Sequence, residues 1–416
     1  MFRWFAMPFG IACLFVCAAV AAAPPSLPPS LVAALRAVWD ESPEVAQARA
    51  EVDAARFRAR AAGRPLYNPM VSLEAENADV DRRTAGIGLT LDLSGKRRAR
   101  GEFGDAGWHV AEAGYATVRR DVALRWLKAW SAVSLAERQL ALGESRLASM
   151  TRFDELAEKR LRTGDISRPE RDLAGLAVGE AWAQQAQLVA EVASARASLA
   201  VIGEGAATNL PPLPTDLPPA AATVAPRDIR DLPEWIQAQA EVRRAEAGVD
   251  VARRDRRPDP TVSLTGGTVR SGSRQDAVVG VSVSMPLPIR NSGRAETEAA
   301  HADVAAASAG IAVKELALRA RLRESEARYT ALHAAASAFR AGRASAFGER
   351  TALLETLWRS GEIATSDYLV QLKQSLDTAL SGLALESQVW QAWFDYLSAS
   401  GRLIEMPGDT TEEASP

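Results

Sequence analysis

Residues 281–298 read VSVSMPLPIRNSGRAETE, and within that stretch the chain changes its style of writing. Val281 and Val283 alternate with Ser282 and Ser284, the two-residue period of a strand with one apolar face. Pro286 and Pro288 then end strand pairing, because proline has no N–H to give to a ladder. Asn291, Ser292 and Gly293 permit a sharp redirection. From Arg294 a polar, alanine-rich run continues to Pro407 without an internal proline. The stretch predicts a short strand that hands the chain directly to a very long helix.

The same passage occurs earlier, because the chain repeats itself. SPEVAQARAEV at 42–52 is echoed by LPEWIQAQAEV at 232–242, NPMVSL at 68–73 by DPTVSL at 259–264, and LRTGDIS at 161–167 by WRSGEIA at 358–364. Three matches in one order define two copies of a structural unit, at 22–208 and 228–402. They are joined by a proline-rich linker, 209–227, which can sustain neither helix nor central strand. Residues 403–416 are expected to be a flexible tail.

Proline-free runs at 96–162 and 294–359 predict rods of about 65 residues, which at 1.5 Å per residue reach about 100 Å. Bending is expected at Gly101, Gly104, Gly107 and Gly114. Leu369, Leu372, Leu376, Leu380 and Leu383 step by three and four, as a coiled-coil seam does. Each rod ends at a glycine turn, around Gly164 and Gly361, from which a second helix returns.

Between the entry helix and the rod of each unit lies a predicted β-hairpin, at about 70–93 and 261–287. Ile87, Leu89, Leu91 and Leu93 alternate with small or polar residues, as do Val279, Val281, Val283 and Met285. Their partners are 71–73 and 262–264, reached through polar loops at 76–83 and 266–276. Four strands cannot close a barrel. Three copies would supply twelve, an even number in the outer-membrane range, with the apolar residues facing lipid and Gly, Ser and Thr facing a wet lumen. A soluble four-stranded sheet packed on helices is the alternative.

The N-terminus, MFRWFAMPFGIACLFVCAAVAAAPPS, has one basic residue, Arg3, then an apolar run ending in Ala19-Val20-Ala21. This pattern predicts a cleaved signal peptide over 1–21, with a retained anchor as the alternative. Cys13 and Cys17, the chain's two cysteines, both fall inside it. Val16 before Cys17 and the short apolar run before Cys13 disfavour lipidation, so the mature chain would have no cysteine and would rely on packing alone. A formal charge of −3 gives no reason to expect a nucleic-acid partner.

The duplicated order of helix, Asn/Asp-Pro-x-Val-Ser-Leu hairpin, Met285-to-Gly293 exit, rod and Gly-Asp/Glu-Ile tip resembles the TolC-type outer-membrane efflux proteins. The form of the second exit is most similar to the CzcC-like heavy-metal efflux branch. The resemblance implies a mainly α fold with a small β part: a homotrimer with a twelve-stranded outer-membrane barrel on an α-helical periplasmic tunnel. It implies a passive exit duct working with a periplasmic adaptor and an inner-membrane resistance-nodulation-division transporter, with no cofactor. The entrance tips carried over to this chain are Arg162, Thr163, Gly164, Asp165, Ile166 and Ser167 in one unit and Ser360, Gly361, Glu362 and Ile363 in the other. Glu362 and Asp367 are candidates for lining the entrance, against the plainer reading that they are solvated charges near helix ends. Ser94, Gly95, Pro286, Pro288, Asn291 and Gly293 would form the passage from barrel to rod. Since the first unit makes this passage without prolines, the two halves should leave the barrel differently.

Enzyme chemistry finds little support. His109, His301 and His333 are too dispersed for a short-spaced metal pair. LSGKR at 93–97 is similar to the end of a phosphate-binding loop, but Thr90 stands where the first glycine is required. A drug-efflux or protein-secretion duct fits the same pattern. A periplasmic coiled-coil adaptor or scaffold fits less well, since an adaptor would carry one helical hairpin between β domains rather than two in tandem.

Overall fold

The computed structural model describes residues 29–77, 79–203, 210–342 and 347–403. The expected signal segment with Cys13 and Cys17, and nearly all of the tail, lie outside these residues. After an added helix α1 (Pro29–Glu41), the first unit runs α2 (Pro43–Ala62), β1 (Met70–Glu76), β2 (Asp81–Thr90), α3 (Lys96–Thr163) and α4 (Arg168–Ala200). The second repeats it as α5 (Pro233–Asp255), β3 (Thr261–Ser271), β4 (Arg274–Ser284), α6 (Arg294–Ala341), α7 (Phe347–Arg359) and α8 (Thr365–Ala399).

The first rod is a single helix of 68 residues that passes unbroken through all four suspected glycines. Gly104 serves close packing, since a Cβ there would stand 2.8 Å from the Ala59 Cα of α2. The second rod departs from expectation. It stops at Gly342, whose backbone is extended (φ −77°, ψ 130°), and resumes as α7. Glycine loses more freedom than any other residue on entering a helix, so it is a natural place to stop.

The four strands form one antiparallel sheet in the order β1-β2-β3-β4. β2 ends at Thr90 and β4 at Ser284, so Leu91, Leu93 and Met285 lie past the strands rather than in them. The expected loop at 266–276 is mostly strand: β3 and β4 continue to a two-residue turn at Gly272 (φ +59°) and Ser273. Gly266 and Gly267 looked like loop writing, but Gly267 is there because any Cβ would collide with the backbone of Arg83 and Thr84 on β2.

Two cores hold the helices. The larger joins α1, α3, α6 and α8 through Leu35, Trp126, Trp130, Tyr329, Trp393 and Tyr396. The smaller lies toward the hairpin tips, around Phe153, Trp358, Tyr368 and Leu372. The linker is part of the larger core rather than a free tether, with Leu213, Ala221 and Val224 buried in it. Its backbone carbonyls accept from Trp130 at Pro211 (2.8 Å), Arg138 at Leu213 (2.6 Å), Arg340 at Thr215 (2.8 Å), Tyr329 at Pro219 (2.6 Å) and Tyr396 at Val224 (2.8 Å). Prolines keep the segment extended as far as Pro219, before a single 3-10 turn at Ala221–Thr223, and leave the carbonyls of Pro211, Leu213, Thr215 and Pro219 to side chains from both units.

Candidate functional site

Cross-strand register decides what each face of the sheet presents. Val71, Ile87, Leu264 and Val281 form one row across all four strands, and Leu89, Val262 and Val283 form the next. All these side chains share one face with Leu73, and most are bare: Leu73 is 82% exposed, Val71 75%, Val281 71% and Val283 68%, while Val262 is half-buried. The opposite face carries Ser72, Gly86, Thr265 and Gly280 in one row and Gly88, Ser263 and Ser282 in the next. Water disfavours such an apolar face at about 25 cal/mol per Å², so it needs a cover. The outer edges of β1 and β4 also pair with no strand among the described residues.

Both units leave the sheet through a left-handed glycine at the N-terminus of the rod, Gly95 (φ 71°) and Gly293 (φ 64°). The routes to that glycine differ. Four residues separate Thr90 from Gly95, whereas eight, including Pro286 and Pro288, separate Ser284 from Gly293. The caps differ as well. Asp92 accepts from the backbone N–H groups of Lys96 and Arg97, both at 2.8 Å, while Asn291 accepts from Gly293 N–H (2.9 Å) and donates to Glu296 (3.1 Å). Burial works against the Asp92 carboxylate, yet the N–H groups of Arg97, Lys96 and Gly95 hold it below the usual carboxylate range. From α5, Arg254 donates to the Ser94 carbonyl and Arg256 to the Ser292 carbonyl, each at 2.9 Å, so one helix end braces both exits.

Beneath the exits lies a network that sequence reasoning missed. Asp259, almost fully buried, accepts from the Tyr67 hydroxyl (2.9 Å) and pairs with Lys96 (3.1 Å), tying the start of β3 to the first unit. That hydrogen bond and burial push the Tyr67 hydroxyl up from its ordinary value. The second match of the repeat, Asn68 with Asp259, was the available signal: only the second copy has the charge that Lys96 pairs with.

At the far end the two tips close in the same way. Asp165 N–H reaches back to Arg160 O (2.9 Å) and Gly164 N–H to Leu161 O (3.1 Å); Glu362 N–H reaches Leu357 O (3.0 Å) and Gly361 N–H reaches Trp358 O (3.1 Å). Gly164 (φ 79°) and Gly361 (φ 80°) supply the left-handed residue of this motif. Ile166 and Ile363 turn inward onto the tip core, where Phe153, Trp358 and Tyr368 stack with ring centroids 4.7 to 5.2 Å apart. Arg160 lies over the Trp358 ring and donates to Arg359 O (2.9 Å), so the tips touch each other. Arg162, Thr163, Asp165, Ser167, Ser360, Glu362 and Asp367 are exposed.

Among the described residues no group of three His, Cys, Asp or Glu side chains could hold a metal ion. The histidines are far apart in role: His109 lies against Glu112 (3.2 Å), His333 against the Pro218 carbonyl (2.9 Å), and His301 is exposed. No described helix is long and apolar enough to cross a membrane.

The fold is thus a duplicated set of long helical hairpins carrying a small sheet with one largely exposed apolar face. The family model described as outer membrane efflux protein matches residues 35–203 and 233–402, and the chain belongs to that family, one of efflux proteins rather than enzymes. The chain is 27% identical over 248 residues to the cobalt-zinc-cadmium resistance protein CzcC of Cupriavidus metallidurans, covering 58% of this chain and 59% of that protein. It is 29% identical over 274 residues to the nickel-cobalt-cadmium resistance protein NccC of Alcaligenes xylosoxydans xylosoxydans, covering 62% of each. The matched region thus spans about three-fifths of the length of these relatives. The fold is similar to that of the Campylobacter jejuni CmeC outer membrane channel, with a TM-score of 0.72 at 12% identity over 90% of this chain and 86% of that one.

Proposed function

We propose that the chain is the passive outer-membrane exit duct of a tripartite pump that expels heavy-metal cations. Three copies pair β4 of one with β1 of the next and close a twelve-stranded barrel, and the rods assemble into a periplasmic tunnel. The observation that carries this reading is the exposed apolar face, aligned in register across all four strands and backed by Gly, Ser and Thr. β2, β3 and β4, at ten or eleven residues, have the length of tilted membrane-spanning strands. Closure removes both open edges, and lipid covers the apolar rows. The exposed tip residues meet a periplasmic adaptor, and an inner-membrane resistance-nodulation-division transporter supplies the energy. Resemblance to CzcC and NccC supports metal cations as the cargo. Weak interactions along the lumen suit a duct, since transport needs sites that release what they bind.

Fractionation tests the duct: an SDS-resistant trimer in the outer membrane is expected, and a soluble periplasmic monomer would sink it. Cargo is tested by deleting the gene and measuring tolerance to zinc, cobalt, cadmium, nickel and common drugs. Lost metal tolerance is expected; lost drug tolerance with unchanged metal tolerance would reassign the cargo.

A further inference from the structure

The apolar rows end abruptly at the rim of the sheet farthest from the helices, and beyond them the same face turns cationic. Register carries the face upward from Ala85 to Arg83, which pairs with Ala75 on β1 and Thr268 on β3, and from Thr268 to Arg270, which pairs with Asp81 and Gln275. Arg83 and Arg270 are both exposed, and neither forms an ion pair among the described residues. Arg270 donates to Gln275 Oε1 at 3.0 Å and keeps its remaining donors open to solvent. Most acids of this rim fall on the other face: Glu74 and Glu76 share the face of Thr84 and Arg82, and Asp276 that of Val269. Arg274, also on that other face, pairs with Asp276 at 3.0 Å. Asp81 is the one strand acid on the apolar side.

We propose that Arg83 and Arg270 form a lipid-phosphate collar, which binds the phosphate groups of anionic glycolipid headgroups where the apolar band meets the outer surface. This rests on the duct reading, which puts the far rim at the outer leaflet and the apolar face in lipid. Guanidinium groups match phosphate through paired N–H donors. Arg83 stands two residues, about 7 Å, and Arg270 four residues, about 14 Å, beyond the row of Leu73 and Val279, the zone where headgroup phosphates sit above buried acyl chains. In a trimer the two arginines recur three times around the barrel, giving a ring rather than a single contact.

The test uses the full chain, purified from the outer-membrane fraction into phosphatidylcholine nanodiscs doped with bis-phosphorylated lipid A. Native mass spectrometry reads how much lipid A the trimer retains. Retention well above the bulk fraction is expected for the natural chain, with a loss of about thirtyfold per protomer in R83Q/R270Q, at roughly one headgroup charge contact per arginine. R83K/R270K should keep part of the binding, and R82Q/R274Q, on the lumen side of the same rim, should keep all of it. Equal retention in R83Q/R270Q overturns the collar, as does equal retention of dephosphorylated lipid A or full displacement by millimolar inorganic phosphate. Absence of the natural chain from the outer-membrane fraction would overturn the duct reading and the collar with it. Presence there without phosphate dependence overturns the collar alone.

Discussion

The two rods are copies of one element, yet α3 crosses Gly101, Gly104, Gly107, Gly114 and Gly143 without a break, whereas α6 stops at Gly342. The neighbours of these glycines differ. Gly104 is pressed against Ala59, and a Cβ on Gly143 would run into Gln185 and Leu188 of α4. Near Gly342 such a Cβ would find, among the described residues, the carbonyls of Ala338 and Phe339 in its own helix. Packing uses the small size of Gly104 and Gly143, but a packed partner is not required of every helical glycine: Gly310 of α6 and Gly179 of α4 stay helical with nothing within 4 Å of such a Cβ. Beyond that stop α7, only 13 residues long, is held mainly by the tip core. Isolated helices of that length are marginal in water.

The largest way to break the comparison is Trp358→Ala. Trp358 is fully buried between Phe153 and Tyr368 and donates from Nε1 to Thr365 (3.3 Å). Removal should destabilise by about 3–5 kcal/mol. Hydrogen exchange should show α7 losing protection while the middle of α3 keeps it; uniform loss along both rods would reject the idea of a jointed second rod.

Gly164→Ala and Gly361→Ala sharpen it. A Cβ at either position would meet no heavy atom within 4 Å, so only the positive φ opposes alanine. Each should cost about 1–2 kcal/mol in chemical denaturation, and the two costs should agree. Unequal costs would show that the tips differ in their turns and not only in what supports them.

Gly342→Ala is smaller and opposite in sign. Its φ of −77° suits alanine. Alanine favours helix by about 0.5–1 kcal/mol over glycine. Circular dichroism should report added helix and slower exchange in α7; no change would mean that the neighbouring sequence, rather than Gly342, sets the joint.

Titration gives the finest contrast. At the first tip the Ser167 N–H and hydroxyl both donate to Glu170, at 2.8 and 2.7 Å, and hold its carboxyl below the ordinary value. A lowered carboxylate adds stability above the unfolded value of about 4.5 and loses it as pH falls through the folded one. At the second tip burial pushes Tyr368 up to about 12 from 10.0, so its contribution is full below pH 10 and lost as pH rises toward 12. Acid should therefore loosen the first tip and alkali the second, which amide exchange can follow tip by tip. Opposite or equal responses would count against this assignment.

Much of this was legible in the sequence, because the repeat, the strand period and the tip glycines are local signals. The alternation at 279–283 located β4 and its apolar face, and the Gly-Asp and Gly-Glu pairs located both tips. What stayed hidden depends on partners far along the chain. That Gln185 and Leu188 of α4 pack on Gly143 cannot be read from the residues beside it. Asp259 needed Lys96, and Phe153 needed Trp358. The prolines of the linker announced an extended segment but not that Trp130, Tyr329 and Tyr396 would hold it.

That linker bears on how the protein could be divided. Two tandem copies invite the idea that each half could be made as a separate polypeptide and mixed. The join, however, takes hydrogen bonds from Trp130 and Arg138 of the first half and from Tyr329, Arg340 and Tyr396 of the second. Whichever half kept the segment, the other would have only water for those donors until the two halves met. The duplication has become irreversible: the seam between the copies is now a component that neither copy can do without.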